Sequence, residues 1–172
     1  ASMTLKKNLI PTKWPFISFM TNNMPYIKEV KGHLGQPPFT FLHFSHRDRN
    51  KDIIDKNTRL LFNLSPQEWY NIYCKCTLNF SNYFHGTLLG IRNGVPTFAI
   101  DKTNFAYPYI GKIEQVMMDL KLKDYFFLFK NLNQKDEKDR LFSQIDFALT
   151  NRDSESSRLD KAANSEMKKA ET

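Results

Sequence analysis

Short apolar runs, separated by polar or glycine-marked breaks, recur along the chain, and their lengths predict strands alternating with helices. Pro15 to Met20 is apolar and aromatic and is closed by Thr21-Asn22-Asn23, the form of a buried strand. A helix is expected over Met24 to Leu34, starting late because of Pro25 and punctuated by Gly32 and Gly35. Phe39 to Phe44 predicts a second strand that empties into the polar, basic loop Ser45 to Asn50, and Arg59 to Leu64 a third strand or extended stretch.

Ser65-Pro66-Gln67-Glu68 has the residues of a capping box, with Pro fit for the first helical position, so a helix should run from Pro66 to about Cys76. Thr77 to Ser81 is a short strand. His85 opens a helix through about Asn93, which Gly94 stops. Val95 to Ile100 is the next buried strand, with Pro96 tolerable at its beginning. Ile113, Val116, Met117 and Leu120 share one helix face within Ile113 to Leu122, and Tyr125 to Phe129 reads as a packed strand or turn segment. The chain turns charged from Asn131 to Arg140, and a last helix is expected over Leu141 to Leu149.

Strand and helix succeeding each other at short intervals predict an α/β fold: a Rossmann-like parallel sheet with helices on both faces. The predicted organisation is a tail or appended segment over residues 1–13, one Rossmann-like domain over 14–150, and a solvated helical or disordered tail over 151–172.

Length agrees with a single core, since 172 residues suit one ordinary domain. Aromatic residues reach 14% with fifteen Phe, which need a core or a partner surface to cover them. No stretch approaches the roughly 20 apolar residues of a membrane helix. Lys6 to Pro11 is broken too early for a secretory signal, so the expected place is cytoplasmic, with peripheral contact at the inner face of the membrane left open. The net charge of +7 fits a nucleic-acid surface, an anionic membrane surface or a pocket for a small anion. Acids interleave with the Lys and Arg and no like-charge run forms, so no nucleic-acid partner is expected. Cys74 and Cys76 read as reduced thiols, and no second Cys or His pair offers zinc spacing, so no metal is expected.

Candidate chemistry concentrates between Asn79 and Lys102. A strand ends in a polar turn, His85 sits where the next helix begins, and Gly86 and Thr87 are expected to leave the first helical N–H groups open to an anion. His85 can donate to phosphate or carboxylate or act as a general acid. The plain alternative is a capping His beside a packing Gly. Asp101 and Lys102 come at the carboxyl end of the following strand, which brings them to the same sheet edge as His85.

The order Ser-Pro-Gln-Glu helix, strand, Tyr83-Phe84-His85-Gly86-Thr87, helix, Asn93-Gly94-Val95-Pro96, strand and basic residue resembles the carboxy-terminal half of polysaccharide pyruvyl transferases. The resemblance covers Leu64 to Leu122, with Arg152 and Ser156 echoing an Arg and Ser pattern of that family's final helix. It implies one Rossmann-like half of a GT-B fold. It also implies phosphoenolpyruvate as donor substrate with no cofactor, His85 as the catalytic acid, and donor contacts from Tyr83, Phe84, Gly86, Thr87, Asp101 and Lys102. Many members carry Arg two residues before this His where Tyr83 stands here, so Arg47, Arg49 or Lys102 is expected to supply the cation. The implied acceptor is a sugar or polysaccharide precursor. Members run to about twice this length, so the expected partner is an amino-terminal half of the same enzyme or a separate domain. The alternatives are a glycosyltransferase half that binds a nucleotide sugar and a non-catalytic scaffold of the same fold.

Overall fold

The computed structural model describes residues 16–20, 26–35, 40–44, 58–61, 65–102 and 110–170. Its strands are β1 (Phe16–Met20), β2 (Thr40–Phe44), β3 (Thr58–Leu61), β4 (Leu78–Ser81), β5 (Thr97–Asp101) and β6 (Phe126–Leu128). They form one six-stranded sheet in the order β3-β2-β1-β4-β5-β6, and every neighbouring pair is parallel. This is the doubly wound order in which the chain reverses its direction of travel between β1 and β4. The α/β class expected from the strand and helix alternation is therefore the one present.

The helices are α1 (Tyr26–Leu34), α2 (Pro66–Tyr73), α3 (Phe84–Arg92), α4 (Lys112–Asp119), α5 (Lys135–Thr150) and α6 (Arg152–Ala170). β1 alternates between two cores. Ile17 and Phe19 join Phe80, Phe98 and Phe127 in the larger one, with Ile27 and Val30 of α1 and Ile145 of α5. Phe16 and Met20 pack with Leu42, Leu61 and the α2 residues Ile72 and Tyr73. Stacked rings run through the larger core, with Phe19 at 5.1 Å from Phe80 and Phe80 at 4.8 Å from Phe98. Among the described residues, most aromatics are buried in or packed against these two cores.

Local chemistry fixes the helix ends around the site. Before α2, the Ser65 side chain accepts from the Glu68 N–H, and the Ser65 N–H donates to the Glu68 carboxylate at 2.8 Å, which completes the capping box. After α3, Gly94 takes a φ of 64°. Its N–H donates to Ile91 O at 2.9 Å and the Val95 N–H to Gly90 O at 3.0 Å, a Schellman closure that favours glycine at this position.

The carboxy-terminal region differs from its sequence reading. α5 begins at Lys135, six residues before the first apolar residue that announced it, with Asp136 and Glu137 in its first turn, where acids favour the positive end of the helix. Beyond Asn151, where a solvated helix with a frayed end was expected, α6 is docked over its first half. Leu159 is fully buried and Glu155 nearly so. The Tyr125 hydroxyl donates to Glu155 at 2.8 Å, and Arg158 reaches both Glu155 at 2.8 Å and Asp124 at 2.5 Å. Ser156 packs against Gly94 at the end of α3. α5 is held to α1 by Lys138 on Glu29 at 2.7 Å and by His33, which meets Asp146 at 2.8 Å and stacks on Phe142.

The outer edge of the sheet is guarded. Arg140 donates to the Phe126 carbonyl at 2.9 Å, lies 3.9 Å over the Phe127 ring, and is itself gripped by Glu137. An edge strand whose carbonyls are met by a charged side chain is a poor template for a further strand.

Candidate functional site

The crevice of an open α/β sheet lies at the carboxyl ends of its strands, where neighbouring connections leave in opposite directions. Here that place is set by Met20, the last residue of β1, and Ser81, the last of β4, which stand opposite each other in register. The turn Asn82-Tyr83 leads from β4 into α3.

α3 approaches the sheet without side chains in between. A Cβ on Gly86 would collide with Met20 Sδ and would lie 2.8 Å from Ser81 Oγ; one on Gly90 would collide with Thr97 Oγ1 and lie 2.8 Å from Asn79 Nδ2. The sheet surface beneath is made of buried small or polar residues, Asn79, Ser81 and Thr97. Asn79 Nδ2 donates to the Gly86 carbonyl at 3.2 Å, so the first turn of α3 is tied to β4. Ser81 Oγ accepts from the Tyr83 N–H at 3.1 Å and donates to the Tyr83 carbonyl at 3.0 Å, which sets the angle at which the chain enters the helix.

Tyr83 is the N-cap in extended conformation, and no side chain caps α3. The helix thus begins one residue earlier than the sequence suggested, at Phe84. This moves the open donors: the first N–H groups left without an intrahelical acceptor are those of Phe84, His85 and Gly86. The Thr87 N–H donates to the Tyr83 carbonyl at 2.9 Å and its hydroxyl to the same oxygen at 3.0 Å. Thr87, taken from the sequence as a donor contact, is buried and turned inward. Gly86 serves close packing through its missing Cβ, while its N–H stays in the open turn. Tyr83 is half-buried against the smaller core, as are Trp69 and Leu89.

His85 is exposed on the first turn of α3, with its ring edge-on to Phe84 at 5.6 Å. Phe84 itself packs against the larger core. Asp101 closes β5 and is buried; Lys102 follows it and is exposed. Partial burial lowers the pKa of the Lys102 ammonium from its ordinary value, because removing water disfavours the charged form. His85, Asp101 and Lys102 thus share the carboxyl edge of the sheet. Arg47 and Arg49 fall outside the described residues, as do the tail over residues 1–13 and the loop that contains them.

Sequence reasoning missed Asn82. Its N–H donates to the Met20 carbonyl at 3.2 Å. In the amide orientation that satisfies both neighbours, its side chain donates to the same carbonyl at 3.0 Å and accepts from Lys102 Nζ at 3.2 Å. A polar turn residue was visible, but nothing in the sequence gave it a partner. Among the described residues no cluster of His, Cys, Asp and Glu could hold a metal ion, and no helix is long and apolar enough to cross a membrane.

Residues 23–104 match the family model for polysaccharide pyruvyl transferase. The resemblance carried by the His85 motif holds over that stretch, which is just under half of the chain and includes α1, β4, α3 and β5. No curated protein matches the chain. Two solved structures share its architecture. The glycotransferase of kitacinnamycin is 12% identical with a TM-score of 0.58, over 90% of this chain and 40% of that one. The glycosyltransferase SnogD from Streptomyces nogalater is 16% identical with a TM-score of 0.55, over 94% of this chain and 41% of that one. At such identities the likeness is one of fold: a Rossmann-like unit as in one half of a GT-B enzyme. The chain spans about two-fifths of the length of each of these structures.

Proposed function

We propose that the domain binds phosphoenolpyruvate at the carboxyl edge of β1, β4 and β5 and serves transfer of its pyruvate unit to a sugar of a cell-surface polysaccharide. The observation that carries the reading is the exposed His85 on the uncapped first turn of α3, at the point where β1 and β4 send their connections apart, within residues that match the family. Open N–H groups and the positive end of a helix dipole favour phosphate or carboxylate. Lys102 adds a cation at the same edge.

In the reaction this implies, a proton passes to the methylene carbon of the enol, and a sugar hydroxyl bonds to the carbon bearing the phosphate. A second hydroxyl of the same sugar then displaces inorganic phosphate, leaving a pyruvate ketal. His85 is the group placed to give the proton or to steady the charge that develops as the hydroxyl adds. The acceptor side of the cleft belongs, in this reading, to an amino-terminal half or a partner domain, and the reaction runs in the cytoplasm at the inner face of the membrane.

The glycosyltransferase-like fold keeps a nucleotide-sugar donor as the rival. Calorimetric titration of the chain and its His85→Ala variant with phosphoenolpyruvate and with a nucleotide sugar separates the two. Binding of phosphoenolpyruvate that disappears in the variant is the expected result. Binding of the nucleotide sugar alone would transfer the site to the rival, and binding of neither by folded protein would favour a scaffold.

A further inference from the structure

Lys102 sits on a long, flexible stem, and a mobile ammonium makes a poor partner for a ligand that must be held in one pose. Asn82 removes that freedom. In the amide orientation that satisfies both neighbours, its side-chain NH2 donates at 3.0 Å to the Met20 carbonyl, the same oxygen that its backbone N–H meets at 3.2 Å. Its oxygen then accepts a hydrogen bond from the Lys102 ammonium at 3.2 Å. One side chain therefore joins the ends of β1, β4 and β5 across the gap where the strand order reverses.

The acceptor is neutral. An ammonium has three donors, and a carbonyl that accepts one of them leaves the charge and the other donors for a ligand. A carboxylate in the same place would hold the lysine equally well but cancel its charge. Among the described residues no carboxylate pairs with Lys102, and the cause of its lowered pKa is burial.

We propose that Asn82 is a positioning residue: it holds the Lys102 ammonium over the β1/β4 gap so that the cation meets an anionic group of the donor. This rests on the reading of that edge as a phosphoenolpyruvate site.

The test compares phosphoenolpyruvate affinity by calorimetry for wild type, Asn82→Ala, Asn82→Asp, Lys102→Ala and the double variant Asn82→Ala/Lys102→Ala, each confirmed as folded by thermal melting. Losing a charge-assisted contact should weaken binding about tenfold in either alanine variant. The double variant should be no weaker than Lys102→Ala, because residues that act through one another are not additive. Asn82→Asp should bind no better than Asn82→Ala. Full additivity of the two losses, or tighter binding by Asn82→Asp, would overturn the proposal. Should Asn82→Ala fail to fold, Asn82→Ser replaces it.

A second readout does not depend on the donor. In ¹⁵N-lysine-labelled protein, the Lys102 Nζ resonance, identified by its loss in Lys102→Ala, should shift and titrate at higher pH once Asn82 is replaced and the ammonium swings into water. If wild type ignores phosphoenolpyruvate, the functional reading fails and this resonance alone decides the inference. A Lys102 signal indifferent to Asn82 sinks it in either case.

Discussion

Met20 Sδ occupies the space in which any side chain on Gly86 would begin, and one helical turn further along, the Thr97 hydroxyl does the same to Gly90. The two obstacles differ in kind. A thioether can swing away, whereas a β-branched Thr in a strand is stiff at its first torsion. Gly90→Ala should therefore cost about 1–3 kcal/mol through overpacking, and Gly86→Ala distinctly less. Urea denaturation midpoints measure both; the reverse order would mean that α3 is freer to lift from the sheet than its contacts show.

The capping box before α2 offers a change that ought to touch stability alone. Ser65→Ala removes the side chain that accepts the Glu68 N–H and should lose about 1 kcal/mol. Phosphoenolpyruvate affinity should stay as in wild type. A fall in affinity at unchanged stability would show that α2 is coupled to the site.

For α6, Leu159 is the decisive side chain. A residue in a solvated tail would change stability by less than about 0.5 kcal/mol on truncation, but a fully buried Leu should cost about 2–5 kcal/mol when cut to Ala. Denaturant unfolding of Leu159→Ala distinguishes the two values without ambiguity.

Acid should erase the contribution of Glu137. Its hydrogen bonds to Arg140 hold its carboxyl below the ordinary Glu value of 4.5. A depressed folded pKa stabilises the fold fully above the unfolded pKa and progressively less as pH falls through the folded one. The difference in melting temperature between wild type and Glu137→Gln should be steady from neutral pH to about 4.5 and close below it. The corresponding difference in stability should also be small, under about 1 kcal/mol, because the pair is partly open to water.

The strands at the centre of this fold were legible because short, largely apolar runs such as Phe16 to Met20 are bounded by polar or glycine-marked breaks. The start of α2 and the end of α3 were legible because Ser65, Glu68 and Gly94 do local chemistry that needs no tertiary partner. Glu155 shows where such reading stops. A glutamate normally marks a solvent face, yet this one is buried; Arg158 lies one helical turn along the same helix, but the Tyr125 hydroxyl comes from 30 residues away and only the fold brings it there. The charged first turn of α5 was missed for a related reason, since its acids serve the helix end and carry no apolar period. At the site, His85 and the helix beneath it were visible in the sequence. The starting residue of α3 was not, and a shift of one residue closed Thr87 and opened Phe84. Asn82 escaped because its two partners, Met20 and Lys102, lie on other strands.

The pairing of β1 with β4 has a consequence for how the chain acquires its shape. Met20 and Ser81 are 61 residues apart in sequence, and closing a loop of that length precedes any reward from the contact. β1 and β2 can find each other early, but the gap that Asn82 bridges does not exist until β4 docks. Contacts this distant in sequence slow folding. The docking of β4 is thus the step at which the two flanks of the sheet become one molecule, and the crevice is born in it.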